Sequence, residues 1–343
     1  MTVVDPPGQR APGTGTTARP GRLALWRVSI LSSPAAPVYG ALIGIIIIAW
    51  IVVTIHGGTF LTVPNVVNML QRSVALGIVA AGQTVVILLG SLDLSVAWLI
   101  SLSALLAATT MDGQEANVLP AILAVLALGV GVGLANGLII TKLRVNAFIA
   151  TLGMALIIQG IIQYNWNGPA GSVPQSFEDL GYTRFGVIPL SFFLLAAVVV
   201  VVWFLLRSTR FGYRVYAVGG SEDVSKLSGL RTHRTIIAAH IVCSLAAVIT
   251  GLFLASRLGA GTPTVGPDGG YDLESIAAVV LGGTALMGGR GGVIGTIGGV
   301  FILAVLDNTF NQLELNAFLK DVVRGVILIA AVAVYARRQE KKA

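Results

Sequence analysis

The chain has 343 residues, of which 55% are hydrophobic and only 11% are charged. Soluble domains average about a quarter charged residues, so this composition excludes a soluble fold. The apolar residues form long continuous runs rather than the alternating pattern of β-barrel strands, which excludes a barrel. The sequence therefore predicts an all-α, polytopic membrane protein.

Ten apolar runs follow a polar N-terminal segment. Residues 1–36 are rich in Pro, Gly, Thr and Arg, which predicts a disordered cytoplasmic tail. A signal peptide is the alternative, but the first apolar run is long and no small-residue cleavage site follows it. We expect a transmembrane domain over residues 37–336 and a basic cytoplasmic tail over 337–343. The predicted spans are 38–55, 73–90, 94–110, 119–140, 146–163, 188–206, 235–255, 274–288, 293–311 and 321–336.

Lysine and arginine are distributed unequally between the two sides of these spans. Ten spans put both termini on one side, and with the N-terminus inside, 17 of the 22 Lys and Arg residues are cytoplasmic. This asymmetry fits the positive-inside rule. The net charge of +7 then faces the anionic inner leaflet, so we expect contact with membrane lipid and no nucleic acid.

Cysteine and histidine indicate no further chemistry. The single cysteine, Cys243, lies in an apolar run and cannot form an internal disulfide. The three histidines, His56, His233 and His240, are scattered without ligand spacing. We therefore expect no metal site and no cofactor.

Two predicted spans are weak. The eighth is short and broken by Gly282 and Gly283, and the junction between the second and third carries Asp93. Short or Gly-interrupted segments in matching positions of two halves indicate a substrate path. VVILLGSLDL at 85–94 and AAVVLGGTAL at 277–286 are weakly alike, as an internal duplication would produce.

The longest polar interruption lies at residues 207–234. A helix is predicted over residues 222–228, because a capping serine, an acidic first turn and a glycine stop occur in order. Two turns are unstable alone in water, so this helix needs a surface to dock on. Val224, Leu227 and Leu230 share one face and suit a partner's groove. A solvated linker between two spans is the alternative.

Polar residues near or within spans have two readings. Asp93 either caps the third helix by accepting from the amides of Ser95 or Val96, or contacts substrate. The other polar residues, Asp307 among them, either bind a hydroxylated solute or tie helices together. The candidate translocation-path residues are Gln83, Asp93, Ser95, Asn136, Asn146, Gln159, Gly282, Gly283, Thr284 and Asn308.

Catalytic and nucleotide-binding motifs are not evident. No Ser-His-Asp, Cys-His or paired-carboxylate arrangement lies at a plausible common depth, so we expect no hydrolytic site. The glycine-rich run 282–292 lacks the preceding strand and the Lys-Ser or Lys-Thr of a phosphate loop. It predicts a tight cytoplasmic turn, with Arg290 facing the headgroups.

Four segments of the chain are distinctive when taken together: GSLDLSVAWLISLSA, VNAFIATLGM, TRFGYRVYAVGGSEDVSKLSGL and YDLESIAAVVLGGTALMGGRGGVIGT. They closely resemble the permease subunits of bacterial ABC importers for ribose and related monosaccharides. The resemblance runs from about Phe60 to the last span. It departs modestly at Gly90-Ser91-Leu92, at Ala97 and at Asp307, where Asn is commoner.

The resemblance implies an inner-membrane subunit that works as a pair, with a second copy or a sister permease. Its expected partners are cytoplasmic ABC ATPase subunits and an extracytoplasmic sugar-binding protein. The chain holds no Walker A motif, so ATP hydrolysis is expected in the partner rather than here. The ATPase-coupling residues that the resemblance implies are Gly219, Gly220, Ser221, Glu222, Asp223, Val224, Leu227, Ser228 and Gly229.

Two other functions remain open from the residues. An ion-gradient-driven secondary carrier needs buried ionisable groups, for which Asp93 and Asp307 are the main candidates. A membrane scaffold or receptor would leave the polar span residues and the broken eighth span without a purpose. The identity of the solute is not encoded in any of these motifs.

Overall fold

The computed structural model describes residues 36–316 and positions 319, 322, 325 and 326. The predictions for the N-terminal tail, for most of the last span and for the tail at 337–343 fall outside these residues. The described residues form thirteen α-helices, one short hairpin and a 3₁₀ turn at Glu115–Asn117. The helices are α1 (Ala36–Ile55), α2 (Val63–Ile87), α3 (Val96–Met111), α4 (Val118–Lys142), α5 (Ala147–Asn165), α6 (Gln175–Tyr182), α7 (Leu190–Ser208), α8 (Arg210–Gly220), α9 (Glu222–Leu227), α10 (Thr232–Leu258), α11 (Val265–Asp268), α12 (Tyr271–Leu281) and α13 (Val293–Gln312).

Seven of these helices are long and apolar enough to cross a membrane: α1, α2, α4, α5, α7, α10 and α13. Helix α3 is apolar but has 16 residues, about 24 Å, and α12 has 11 residues, about 16 Å. Both are shorter than the hydrocarbon core of about 30 Å. The all-α membrane class is confirmed, and the eighth predicted span is short, as expected.

Hydrogen bonds between loops define the two ends of the bundle. At one end, named the α8–α9 end, the turn after α12 meets the turn after α2, and Gly289 N donates to Leu88 O at 2.9 Å. At the opposite end, the segment after α5 pairs with the segment after α10 through Ala170 and Gly261. The crossing helices run between these ends in alternating directions. A small hairpin of β1 (Arg184–Phe185) and β2 (Ile188–Pro189) precedes α7.

Helices α2 and α10 form the centre of the bundle. Both are largely buried, and α10 packs against α4, α3 and α2. Glycines on α4 allow the closest of these contacts, because a Cβ at Gly133 would lie 2.5 Å from Ile241 Cα and one at Gly137 would lie 2.6 Å from Ile237 Cα. Small residues of this kind let helix backbones approach each other in lipid. Helices α1, α4, α5 and α7 keep broad exposed apolar faces.

The segment 259–270, named the re-entrant segment, turns back from the end of α10 into the bundle. Gly266 packs against Ala97 of α3, and its amide donates to Ser101 Oγ at 3.0 Å. Ala97 lies 14 residues before the end of α3, about 21 Å along that helix. Helix α11 lies within this segment. Gly270, with a φ of 61° in the left-handed region, directly precedes α12. Irregular backbone at such depth is tolerated where protein or a water-filled cavity surrounds it.

Several boundaries differ from the predictions. Helix α2 begins at Val63 rather than 73, because polar residues such as Asn65 and Gln71 lowered the hydropathy of a stretch that is helical. Helix α8 was expected as loop, and α6 and β1 lie in a stretch for which no structure was predicted. Strand β2 occupies the first two residues of the span predicted over 188–206. Helix α8 has apolar residues on one face only, which a search for continuous apolar runs misses.

Candidate functional site

The predicted short helix is present as α9. Ser221 caps it, its Oγ accepting from Val224 N at 3.3 Å, and Gly229 follows it with a φ of 78°. Lys226 Nζ lies 2.9 Å from Glu222 Oε1, and this hydrogen bond raises the pKa of Lys226 above its ordinary value. The charged side chains therefore stabilise each other within the helix.

The apolar side of α9 has no cover. Leu227 is 89% exposed and Val224 is 62% exposed, although both are large apolar side chains. They lie on a two-turn helix held at the α8–α9 end by contacts with α8 and α10. Exposed apolar residues on such an element are typical of a docking surface for another protein.

Helix α8 connects α9 to the turns of the bundle. A Cβ on Gly219 would lie 1.8 Å from Leu88 O and 2.8 Å from Gly289 N, so only glycine fits there. Tyr216 Oη donates to Gly291 O at 2.9 Å. Burial raises the pKa of Tyr216, and the nearby Arg207 lowers it in part. Movement of α8 would therefore press directly on the turn after α2 and on the glycine-rich turn.

The glycine-rich run forms the tight turn that was predicted. Ala285 N donates to Arg290 O at 2.9 Å, and Gly288 has a φ of 85°, a conformation that favours glycine. Thr284 is buried, and its Oγ1 accepts from Gly292 N at 3.2 Å, joining the two ends of the turn. Arg290 is exposed at the α8–α9 end. A cavity of about 650 Å³ beside the turn is lined by Gly282 and Gly283 together with Trp203, Tyr213 and Tyr216.

Asp93 lies at the centre of a buried polar cluster. Its Oδ1 accepts from Ser95 N at 3.0 Å and from Ser95 Oγ at 2.5 Å, so the predicted hydrogen bond to the Ser95 amide is confirmed. The N-cap of α3 is Ser95 rather than Asp93, because the bonded amide lies just before the helix. Its Oδ2 lies 3.2 Å from His240 Nδ1, and His240 Nε2 lies 3.1 Å from Ser91 Oγ. Asn136 Nδ2 donates to Ser95 Oγ at 3.0 Å. The cluster joins α3, α4 and α10, with Asp93 and His240 both 0% exposed.

This cluster corrects one sequence prediction. The expectation that no Ser, His and Asp share a common depth is wrong, because Ser91, His240 and Asp93 form one hydrogen-bonded line. Asp93 and His240 are separated by 147 positions in the sequence, so no local spacing reveals the contact. Ser91 is buried as well, which fits a tie between helices better than a site open to substrate.

The other candidate path residues do not converge on the cluster. Asn146 caps α5 by accepting from Phe148 N at 2.9 Å. Asn308 forms a reciprocal amide pair with Asn65, at 2.7 and 3.0 Å, between α13 and α2. Gln83 Oε1 accepts from Cys243 Sγ at 3.2 Å, and Gln159 lies half-buried on α5.

Three buried polar atoms in this region lack a partner among the described residues: Asn136 Oδ1, Gln83 Nε2 and Ser244 Oγ. Asp307 is instead engaged near the opposite end, where its Oδ2 lies 3.9 Å from Arg72 Nη1. Within the described part of the chain, no three His, Cys, Asp or Glu residues are placed to hold a metal ion.

Sequence reasoning missed two polar residues of the re-entrant segment. Thr264 and Asp268 are exposed, and Thr264 Oγ1 donates to Asp268 Oδ2 at 2.6 Å. They flank Gly266, which is about 21 Å from the end of α3. A charged side chain that is exposed at membrane depth is costly in lipid, so this pair faces water or another polar surface. No structure was predicted for the Gly- and Pro-rich sequence around them.

Comparisons with known proteins decide the family. Residues 65–332 match the profile of a family described as branched-chain amino acid transport system / permease component. The chain belongs to this permease family. No solved structure matches the chain. Membership, together with its membrane-spanning helices, makes it a multi-pass protein of the bacterial inner membrane.

Several named relatives are similar over most of their length. The chain is 37% identical to the ribose import permease protein RbsC of Escherichia coli (strain K12) over 305 residues, covering 87% of this chain and 94% of the relative. It is 36% identical to RbsC of Bacillus subtilis (strain 168), with coverage of 85% and 91%. It is 34% identical to the L-arabinose transport system permease protein AraH of Escherichia coli (strain K12), with coverage of 89% and 92%.

Proposed function

We propose that the chain is the membrane-spanning permease of an ATP-binding-cassette importer for a small sugar. The observation that carries the proposal is its 34–37% identity to ribose and arabinose permeases across at least 85% of the chain. The family description names branched-chain amino acids, but the named relatives that cover the full length transport sugars. We therefore assign a pentose or hexose as the cargo.

The proposed topology has ten spans with both termini in the cytoplasm. The described region contains nine of these proposed spans: α1–α5, α7, α10, α12 and α13. The apolar run at 321–336 supplies the tenth. The α8–α9 end is the cytoplasmic end, since the basic loop 207–234 lies there.

Energy enters the permease through α9. A cytoplasmic ATPase grips the exposed face of Val224 and Leu227, and its closure on ATP moves α9 and α8 together. Gly219 transmits this movement, because it is in contact with both Leu88 and the glycine-rich turn. The helices attached to these turns, α2, α3, α12 and α13, then tilt between outward and inward openings.

The translocation path follows the re-entrant segment. Thr264 and Asp268 offer a hydroxyl and a carboxylate to a hydroxylated solute, and they are reachable from outside the chain. The glycine-rich turn and the cavity beside it form the cytoplasmic exit. An extracytoplasmic binding protein delivers the sugar to the opposite end, and a second permease copy completes the path.

The coupling step is tested by Leu227→Asp. A charge on the gripped face is expected to abolish ATPase stimulation and sugar uptake, while the protein inserts and folds normally because Leu227 contacts little else in the chain. Tyr164→Asp is the matched control, since Tyr164 is also 89% exposed. It lies at the C-terminal end of α5, at the end of the bundle opposite α8 and α9. Normal ATP-driven uptake by Leu227→Asp would refute the coupling mechanism.

The substrate class is tested by uptake in cells that produce the chain with its ATPase and binding protein. Labelled ribose, arabinose, galactose and leucine are offered separately. Uptake of at least one sugar, with no uptake of leucine, is expected. Uptake of leucine alone would refute the assignment of a sugar as the cargo and would indicate an amino-acid permease.

A secondary carrier is the competing function, and one observation favours it. The buried Asp93–His240 pair is an ionisable pair inside the membrane, and such pairs occur in proton relays. Its enclosure between α3, α4 and α10 makes it equally suited to a structural tie.

A further inference from the structure

A groove at the α8–α9 end has no role in the proposed transport mechanism. It has a volume of about 670 Å³ and lies between the turn joining α4 to α5, helix α9 and the start of α10. This volume falls within the range of about 300–1,000 Å³ that is usual for ligand pockets. We name it the basic groove, and its polar lining comprises Thr141, Arg144, Asn146, Glu222, Lys226 and His233.

The charges of the basic groove are not balanced. Glu222 is its one acidic lining residue, and the carboxylate lies 2.9 Å from Lys226 Nζ. Asp223 Oδ1 also lies 3.7 Å from Lys226 Nζ, so two carboxylates face that ammonium group. Arg144 forms no ion pair with any residue that the structure describes. The charge of its guanidinium is therefore available to an anion.

Two helix N-termini add to this positive potential. The groove is lined by Asn146 and Ala147 at the start of α5 and by His233 in the first turn of α10. Neither helix has an acidic residue in its first turn. The N-terminus of α10 has no side-chain cap, whereas Asn146 already accepts from one amide of α5, Phe148 N. The other first-turn amides carry a partial positive charge and can donate hydrogen bonds to phosphate groups.

Arg144 occupies an unusual backbone position. It follows the end of α4 with a φ of 58°, in the left-handed region where helix ends most often place glycine. An arginine there strains the backbone, which indicates that the side chain serves a purpose other than ending the helix. The guanidinium is suited to bind phosphate through two parallel hydrogen bonds.

Exposed apolar residues lie next to the groove. Leu143, Phe148 and Ile149 adjoin the lining residues in sequence and are exposed at the ends of two membrane-spanning helices. A basic pocket between helix ends with an apolar edge matches both parts of a phospholipid. We propose that the basic groove binds the headgroup phosphate of an anionic phospholipid of the inner leaflet, with the acyl chains along these apolar residues.

The lipid would contact α9 on the side opposite the exposed Leu227. Glu222 and Lys226 belong to α9 and line the groove, whereas Val224 and Leu227 point to the free surface. The bound headgroup would therefore hold α9 against the turn between α4 and α5.

Native mass spectrometry of the purified full-length chain tests the proposal. Phosphatidylglycerol and phosphatidylcholine are titrated into the wild type, Arg144→Gly, Arg144→Lys and Arg290→Gly. Arg144→Gly is expected to lower the affinity for phosphatidylglycerol about fivefold, the effect of one cation near the surface. Glycine also relieves the backbone strain, so the loss is expected with unchanged or higher thermal stability, which separates it from misfolding.

The controls define the outcomes that would overturn the proposal. Arg144→Lys keeps the charge but loses the paired hydrogen bonds, so its affinity is expected to lie between those of the wild type and Arg144→Gly. Arg290→Gly removes an equal charge at the same end outside the groove and is expected to retain all of the binding. Equal losses in Arg144→Gly and Arg290→Gly would show diffuse attraction rather than a site. Unchanged binding by Arg144→Gly would refute the site outright. Displacement of phosphatidylglycerol by millimolar inorganic phosphate would assign the groove to a soluble anion and overturn the lipid.

Discussion

Single residues of this chain act mainly by joining distant helices. The Asp93 carboxylate accepts hydrogen bonds from its own turn and from Asn136, and it pairs with His240, so one side chain ties α3, α4 and α10 together. A buried carboxylate of this kind stabilises a membrane protein only while its partners remain, because an unpaired buried charge is costly. The cluster is therefore sensitive to loss of any one member.

Removal of the imidazole tests this dependence. His240→Ala leaves Asp93 and Ser91 with one partner fewer, and we expect a loss of about 2–4 kcal/mol in stability. The apparent Tm of the purified protein, followed by fluorescence, measures the effect. Ser191→Ala is the control, since the Ser191 hydroxyl is buried without a partner among the described residues and its removal is expected to be neutral. Equal stability of the wild type and His240→Ala would mean that the cluster contributes nothing.

The contacts of this cluster were only partly predictable from the sequence. The hydrogen bond from Ser95 N to Asp93 was predictable, because an aspartate just before a helix often accepts from the amide two residues on. The contact with His240 was not predictable, because it depends on the packing of helices that are far apart in sequence. Asn146 was taken for a path residue, yet its position just before α5 is the sequence signal of a cap.

At the scale of elements, the central feature is the junction of α8 with two turns. The two segments that are weakly alike in sequence, 85–94 and 277–286, run from the ends of α2 and α12 into the turns that follow. These two turns contact each other through Leu88 and Gly289. Gly219 at the end of α8 fits between them with no room for a side chain. This junction is the physical link between α9 and the helices of the proposed path.

Gly219→Ala tests the junction. Its Cβ would lie 1.8 Å from Leu88 O, so the turn must shift, and we expect ATP-driven uptake to fall at least about tenfold, the effect of about 1.4 kcal/mol. Gly131→Ala on α4 is a matched control, since Gly131 is also a helical glycine and a Cβ there meets no atom within 4 Å. Uptake assays with equal amounts of membrane-inserted protein measure both variants. Wild-type uptake by Gly219→Ala would show that this contact does not transmit movement.

The re-entrant segment carries a second element-scale prediction. Asp268→Ala removes an exposed carboxylate whose hydrogen-bond partner in the described part of the chain is Thr264, so we expect reduced sugar uptake at unchanged Tm. Asp112→Asn, an exposed acidic position at the opposite end, is expected to change neither. A large fall in Tm for Asp268→Ala would assign the carboxylate a structural role instead.

Prediction from sequence was uneven among elements. The long spans were predictable because they are continuously apolar, and α9 was predictable because its capping residues are explicit. Helix α8 was missed because it is polar on one side. The re-entrant segment was missed because glycine and proline favour loops, and only the contact of Gly266 with Ala97 shows that this loop enters the bundle.

At the scale of the whole molecule, the asymmetry of positive charge fixes the proposed orientation. The basic loop 207–234 and the turn between α4 and α5 lie at the same end of the bundle, where they line one groove. By the positive-inside rule, the proposed cytoplasmic end is the one that carries these basic residues.

Cysteine labelling tests the orientation. The native Cys243 is buried and is expected to stay unlabelled. A membrane-impermeant maleimide is expected to label Gln114→Cys in intact cells and to label Ser228→Cys only after permeabilisation, since these residues lie at opposite ends. The reverse pattern would invert the topology and remove α9 from the reach of any cytoplasmic ATPase.

The source of energy is the central claim, and reconstitution in proteoliposomes tests it most directly. The chain is incorporated with and without its ATPase, and accumulation of labelled ribose is followed in the presence of the binding protein. We predict accumulation only when both the ATPase and ATP are present, and none from a proton or sodium gradient. Accumulation driven by an ion gradient with the chain alone would contradict the account and would identify a secondary carrier, with Asp93 and His240 as its first candidate relay.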